Sequence, residues 1–136
     1  MRYNKITSGV IIKELQDLII QYSNDNVEKQ CTDPKMASKL FGGDKNMAIS
    51  LMSRINAIEQ ATVIKDIIVM PTFRFHQLKG KRKGYFAIDV KTIRDKWRII
   101  VQPLDDKGKI FDPCNIDEVA SIVKIIEISE VSAHYE

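Results

Sequence analysis

The chain has 136 residues, 44% of them hydrophobic and 29% charged, with a formal charge of +3. That length suits one domain around one core, and that composition excludes a disordered or fibrous chain. No run of about 18 apolar residues is present to cross a bilayer, and Cys31 and Cys114, far apart and with only two histidines in the chain, exclude a disulfide framework or a C-x-x-C zinc site.

The opening Val10-Ile11-Ile12 is broken by Lys13 and Glu14 before a signal-peptide core can form, so a cytoplasmic location and no membrane partner are expected. Val10, Ile11, Ile12, Leu15, Leu18, Ile19 and Ile20 fit an amphipathic helix, and also a helix running into a strand. The second is preferred. Leu18 to Tyr22 is a β-branched, aromatic-ended run, and Ser23-Asn-Asp-Asn26 closes it with residues that turn or cap.

Pro34 suits a first helical turn, with Met36, Leu40 and Phe41 as the apolar face and Gly42-Gly43 as the stop. Asp44 then caps a helix in which Met47, Leu51, Ile55 and Ile58 recur at four- and three-residue spacing, leaving Lys45, Ser50, Arg54 and Glu59 for water. Thr62 to Met70 is apolar but short. Strand-like runs follow at Phe73–Leu78, Gly84–Val90 and Trp97–Val101, joined by turns at Lys79–Lys83 and Lys91–Lys96. Pro103 to Pro113 reads as a polar loop, and Val123 to Ile128 as a last strand. This order predicts an α+β two-layer fold: N-terminal helices packed on one face of a twisted, mainly antiparallel sheet of four to five strands, with the other face partly open.

Charge is concentrated in one stretch. From Thr72 to Arg98 there are nine cations and two anions, so the remainder of the chain is net acidic. A basic segment on an acidic body is the footprint of a surface that docks phosphates; a solvated lysine-rich hairpin is the plainer alternative.

Phe73-Arg-Phe-His-Gln-Leu-Lys-Gly-Lys-Arg-Lys-Gly-Tyr-Phe-Ala-Ile-Asp-Val, followed by Asp95-Lys-Trp-Arg-Ile-Ile-Val, resembles the RelE/HigB toxins of type II toxin-antitoxin systems, in the branch called plasmid maintenance killer proteins. The resemblance covers residues 17–136 as a toxin domain and leaves 1–16 as an N-terminal extension. It implies a RelE-like fold and a ribosome-dependent mRNA endoribonuclease that inhibits translation. It also implies neutralisation by a cognate antitoxin, a helix-turn-helix DNA-binding protein. The other reading is a non-enzymatic binding protein on the same fold, a gyrase-inhibiting toxin or a degenerate toxin acting as a repressor with its antitoxin.

RNA carries its own nucleophile, the 2′-hydroxyl, so cleavage needs a base, an acid and cations, and neither a metal nor another cofactor is expected. His76 supplies an imidazole suited to proton transfer near neutrality. Lys79 and Arg98 are the expected phosphate cations, with guanidinium offering a planar fork. Arg74, Lys81, Arg82, Lys83, Arg94 and Lys96 are candidate RNA contacts, with Tyr85 and Tyr135 as stacking surfaces. The resemblance adds Glu130 and His134 near the C-terminus as catalytic candidates. Packing is the plainer role for Trp97, and a structural one for any lone histidine.

Overall fold

The computed structural model describes residues 17–133. Residues 1–16, the expected extension with its expected helix, lie outside the described residues, as do His134 and Tyr135.

Strand β1 (Ile19–Tyr22) is followed by three capped helices. Asn24 accepts from the Val27 N–H at 2.9 Å to start α1 (Asp25–Thr32). Asp33 caps α2 (Pro34–Leu40), where Pro34 has no N–H to leave unpaired, and Gly42 follows at φ +65°. Asp44 accepts from the Asn46 and Met47 N–H groups to start α3 (Lys45–Gln60), whose Met47, Leu51, Ile55 and Ile58 are buried as their spacing predicts. Thr62 to Met70 holds one helical turn, α4 (Lys65–Ile68). Then come β2 (His76–Gln77), β3 (Phe86–Asp89), β4 (Arg98–Leu104), α5 (Ile116–Val119) and β5 (Ile125–Ser132).

The sheet has the order β1-β5-β4-β3-β2. Strands β2 to β5 form the antiparallel meander, and β1 adds to the outer edge of β5 in parallel, with Ile19 opposite Ile125. Phe86, Ile88, Ile99, Val101, Ile126 and Ile128 of the sheet share one core with Leu51, Ile55 and Ile58 of α3. The result is the expected α+β two-layer arrangement, with helices on one face of the sheet. The opposite face carries a second, small cluster of Leu78, Ala87 and Ile100, with Tyr85 against it.

Two sequence expectations are corrected. The run Phe73–Leu78 is mostly not a strand, because Pro71–Phe73 forms a 3-10 turn and Arg74 is left-handed, so ladder pairing begins at His76. Its alternation arises because Phe73 and Phe75 both reach the main core. Pro103 does not open a loop: β4 continues through it to Leu104, paired with Ile125.

Candidate active site

The register places His76 opposite Ala87, Ala87 opposite Ile100, and Ile100 opposite Glu130. Side chains in one cross-strand row share a face, so this row runs across the open side of the sheet. Its two ends are polar and its middle is apolar, with Ala87 and Ile100 fully buried. At the ~4.8 Å strand spacing, the His76 and Glu130 backbones stand ~14 Å apart. They therefore flank the face; they do not meet.

His76 is half-buried at the start of β2, the edge strand. Its Nδ1 lies 2.6 Å from the carbonyl oxygen of Arg74. A carbonyl only accepts, so Nδ1 must carry the proton, and the neutral ring then keeps its lone pair on Nε2. Together, Arg74, His76, Gln77, Lys79 and Lys81 line a cleft of about 490 Å³ along this edge. Three of the expected RNA-facing cations thus share one cavity with the imidazole.

Arg98 is not among them. Its side chain is 3% exposed, with Nε 3.0 Å from Asp89 Oδ1, and its Nη1 and Nη2 atoms donate to the carbonyls of Thr92, Ile93, Asp95 and Trp97. The expected convergence of His76, Lys79 and Arg98 on one phosphate is therefore corrected for Arg98. A guanidinium saturated with main-chain acceptors and a buried carboxylate is a structural fastener. What it fastens is the loop of residues 91–97, which holds Lys91, Arg94 and Lys96 exposed. Trp97 packs edge-on against Phe41, 4.8 Å between centroids, as the packing alternative had it.

The remaining candidates divide. Lys79, Lys81 and Lys83 are exposed in the turn between β2 and β3. Arg82, from the same turn, is ion-paired with Glu130 on β5. The pair ties that turn to β5, so neither partner stands alone as a catalytic group. Tyr85 packs against that cluster. The two basic turns lie at opposite ends of β3, and His76 sits between them on the edge.

Asp89 and Arg54 escaped sequence reasoning. Asp89 is 2% exposed and binds both Arg74 and Arg98. Arg54, expected to face water, instead donates to the carbonyls of Asp89, Thr72 and Lys91 and stacks over the Phe73 ring at 4.6 Å. Burial lowers its guanidinium pKa, opposed by Asp89 and Asp95. An acid among the apolar residues of Phe86-Ala-Ile-Asp-Val was the available signal.

No family profile matches the chain, and no curated protein does. Among solved structures it is similar to YafQ. The structure of YafQ from E. coli strain BL21(DE3) is 16% identical, over 85% of this chain and 91% of that one, with a TM-score of 0.43. A histidine-to-glutamine variant of YafQ from E. coli is 19% identical over the same shares, with a TM-score of 0.42. Among the described residues, no helix is long and apolar enough to cross a membrane, and no group of three or more His, Cys, Asp or Glu is placed to hold a metal ion.

Proposed function

We propose that this chain is the toxin of a type II toxin-antitoxin pair and that it cleaves mRNA on the ribosome, with His76 as the base. The observation that carries the proposal is the Nδ1 contact to Arg74, which leaves Nε2 as a proton acceptor beside a cationic cleft. In this reading Nε2 removes the 2′-hydroxyl proton, the 2′-oxygen attacks the adjacent phosphorus, and the bond to the 5′-oxygen breaks. A cyclic phosphate and a 5′-hydroxyl result. Lys79 and Lys81 offset the charge that develops on the phosphate. In this reading His134, the expected catalytic imidazole, gives the departing 5′-oxygen its proton.

The partner in this reading is an antitoxin with a helix-turn-helix domain, the chain falls in the plasmid maintenance killer branch, and the site of action is the cytoplasm. Residues 17–136 form the toxin domain and 1–16 its extension. Exposed Lys91, Arg94 and Lys96 at the far end of β3 extend the RNA path beyond the cleft.

A second reading, binding without cleavage, is favoured by one feature: Arg98 is committed to the fold and Glu130 to Arg82, so His76 works with fewer partners than a nuclease of the expected design. A translation extract separates the two. Primer extension should show codon-spaced mRNA ends with the wild-type chain and none with His76→Ala. Blocked translation with intact message would establish the second reading instead.

A further inference from the structure

We infer that Arg74, tethered by the buried Asp89, is a positioning residue that locks the His76 ring into the tautomer with its proton on Nδ1. The inference rests on the nuclease reading for its purpose, though not for its geometry. Arg74 acts through two different parts of itself. Its backbone carbonyl receives the His76 Nδ1 proton at 2.6 Å, while its guanidinium Nε donates to both oxygens of Asp89, at 2.9 and 3.2 Å.

Three observations make this a built arrangement. Among the described residues Arg74 is the one non-glycine with positive φ, at +46°, a conformation that side chains disfavour and that persists where the surroundings impose it. The surroundings here are Asp89 and Arg54. Arg54 donates to the carbonyl of Thr72, two residues before Arg74, and to the carbonyl of Asp89 itself, pinning the turn and the end of β3 together. The second observation is Asp89: a carboxylate is costly to bury, and at 2% exposure it is held by two guanidiniums rather than replaced by an apolar residue like its neighbours. The third is Phe75, which stacks on Phe86 with centroids 5.0 Å apart and keeps this short segment from rotating, so that His76 stays on the open face.

The consequence is a chain of contacts from Arg98 to Asp89 to Arg74 to His76. The hydrogen bond that Nδ1 donates keeps the proton on that nitrogen and leaves Nε2 as the acceptor. Arg98 thus bears on the imidazole without approaching the substrate.

The test reads the ring directly. The chain has two histidines, so long-range nitrogen-proton NMR of the full-length protein, assigned with His76→Gln, reports the tautomer of His76 without RNA. Arg74→Gly is the decisive variant, because glycine accepts a left-handed backbone without strain while the tether to Asp89 is lost. The wild-type ring should carry its proton on Nδ1, and Arg74→Gly should lower the Nδ1–H to Nε2–H ratio at least about fivefold, the worth of one ordinary hydrogen bond. Arg74→Lys should recover part of that loss. An unchanged ring in Arg74→Gly, or a lysine variant as unlocked as the glycine one, overturns the inference. A locked ring in a protein that leaves mRNA intact would sink the nuclease reading and leave the lock standing; a cutting enzyme whose ring ignores Arg74 would do the reverse.

Discussion

Arg98 faces Asp89 across the β3–β4 ladder, with Nε 3.0 Å from Oδ1 and both side chains 3% exposed. Truncating Arg98 leaves the buried Asp89 to Arg74 alone and takes the donor from the carbonyls of Thr92, Ile93, Asp95 and Trp97, a loss that approaches the about 3–5 kcal/mol of a broken buried pair. Arg98→Ala should therefore lower the urea midpoint sharply, in the absence of any RNA. Arg98→Lys should also destabilise, since an ammonium cannot reach Asp89 and several loop carbonyls at once. A stable Arg98→Ala that had lost only RNA affinity would contradict this assignment.

Lys81 and Lys83 are exposed in the turn after β2, so replacing them should leave stability within about 0.5 kcal/mol. Binding is another matter. Each phosphate contact to a single strand contributes about 0.7 to the slope of log affinity against log salt. Fluorescence anisotropy with a labelled single-stranded RNA should show a slope shallower by roughly that amount for each lysine removed, whatever the RNA sequence.

Glu130 places a negative charge on the open face and holds Arg82. An exposed pair of this kind adds at most about 1 kcal/mol to stability. Glu130→Gln should leave the midpoint of unfolding nearly unchanged and, by releasing Arg82 to phosphate, tighten RNA binding by about threefold, within the reach of one such pair. Titration of labelled RNA measures it; weaker binding would give Glu130 a direct role in RNA recognition.

Burial pushes the Cys31 thiol from 9.0 up to about 12, and burial, then Cys31, raises the Tyr22 hydroxyl. Both groups stay protonated in the folded chain after the unfolded chain has released its protons. The stabilisation is fully present below about pH 9 and is lost as pH climbs toward 12, at up to about 1.4 kcal/mol per pH unit for each group. Urea midpoints should hold up to about pH 9 and fall from there toward pH 12, and Cys31→Ala should flatten the decline.

The elements with strong local signals were legible in the sequence. Asn24, Asp33 and Asp44 cap helices where short polar side chains precede apolar periodicity, and the strands around Ala87, Ile100 and Ile126 follow from β-branched runs. Parallel pairing of β1 was not legible, because nothing local in Ile19–Tyr22 specifies a partner in the last strand. His76, Lys79 and Lys81 were found from their residue types and do share a cleft. Arg98 misled for a physical reason: a cation in a basic segment reads as a phosphate ligand until its partner Asp89, nine residues earlier, is seen to face it across a strand pair. Composition counts charges and is blind to which of them cancel.

The parallel join of β1 to β5 links segments more than a hundred residues apart. A ribosome making this chain releases β1 long before its neighbour exists, and long-range pairings of this sort form late in folding. Until β5 emerges, β4 lacks the strand that flanks it, with Arg98 opposite Ser132 and Ile100 opposite Glu130. An interrupted translation product is therefore an unfinished sheet, with one side of β4 left as an open edge.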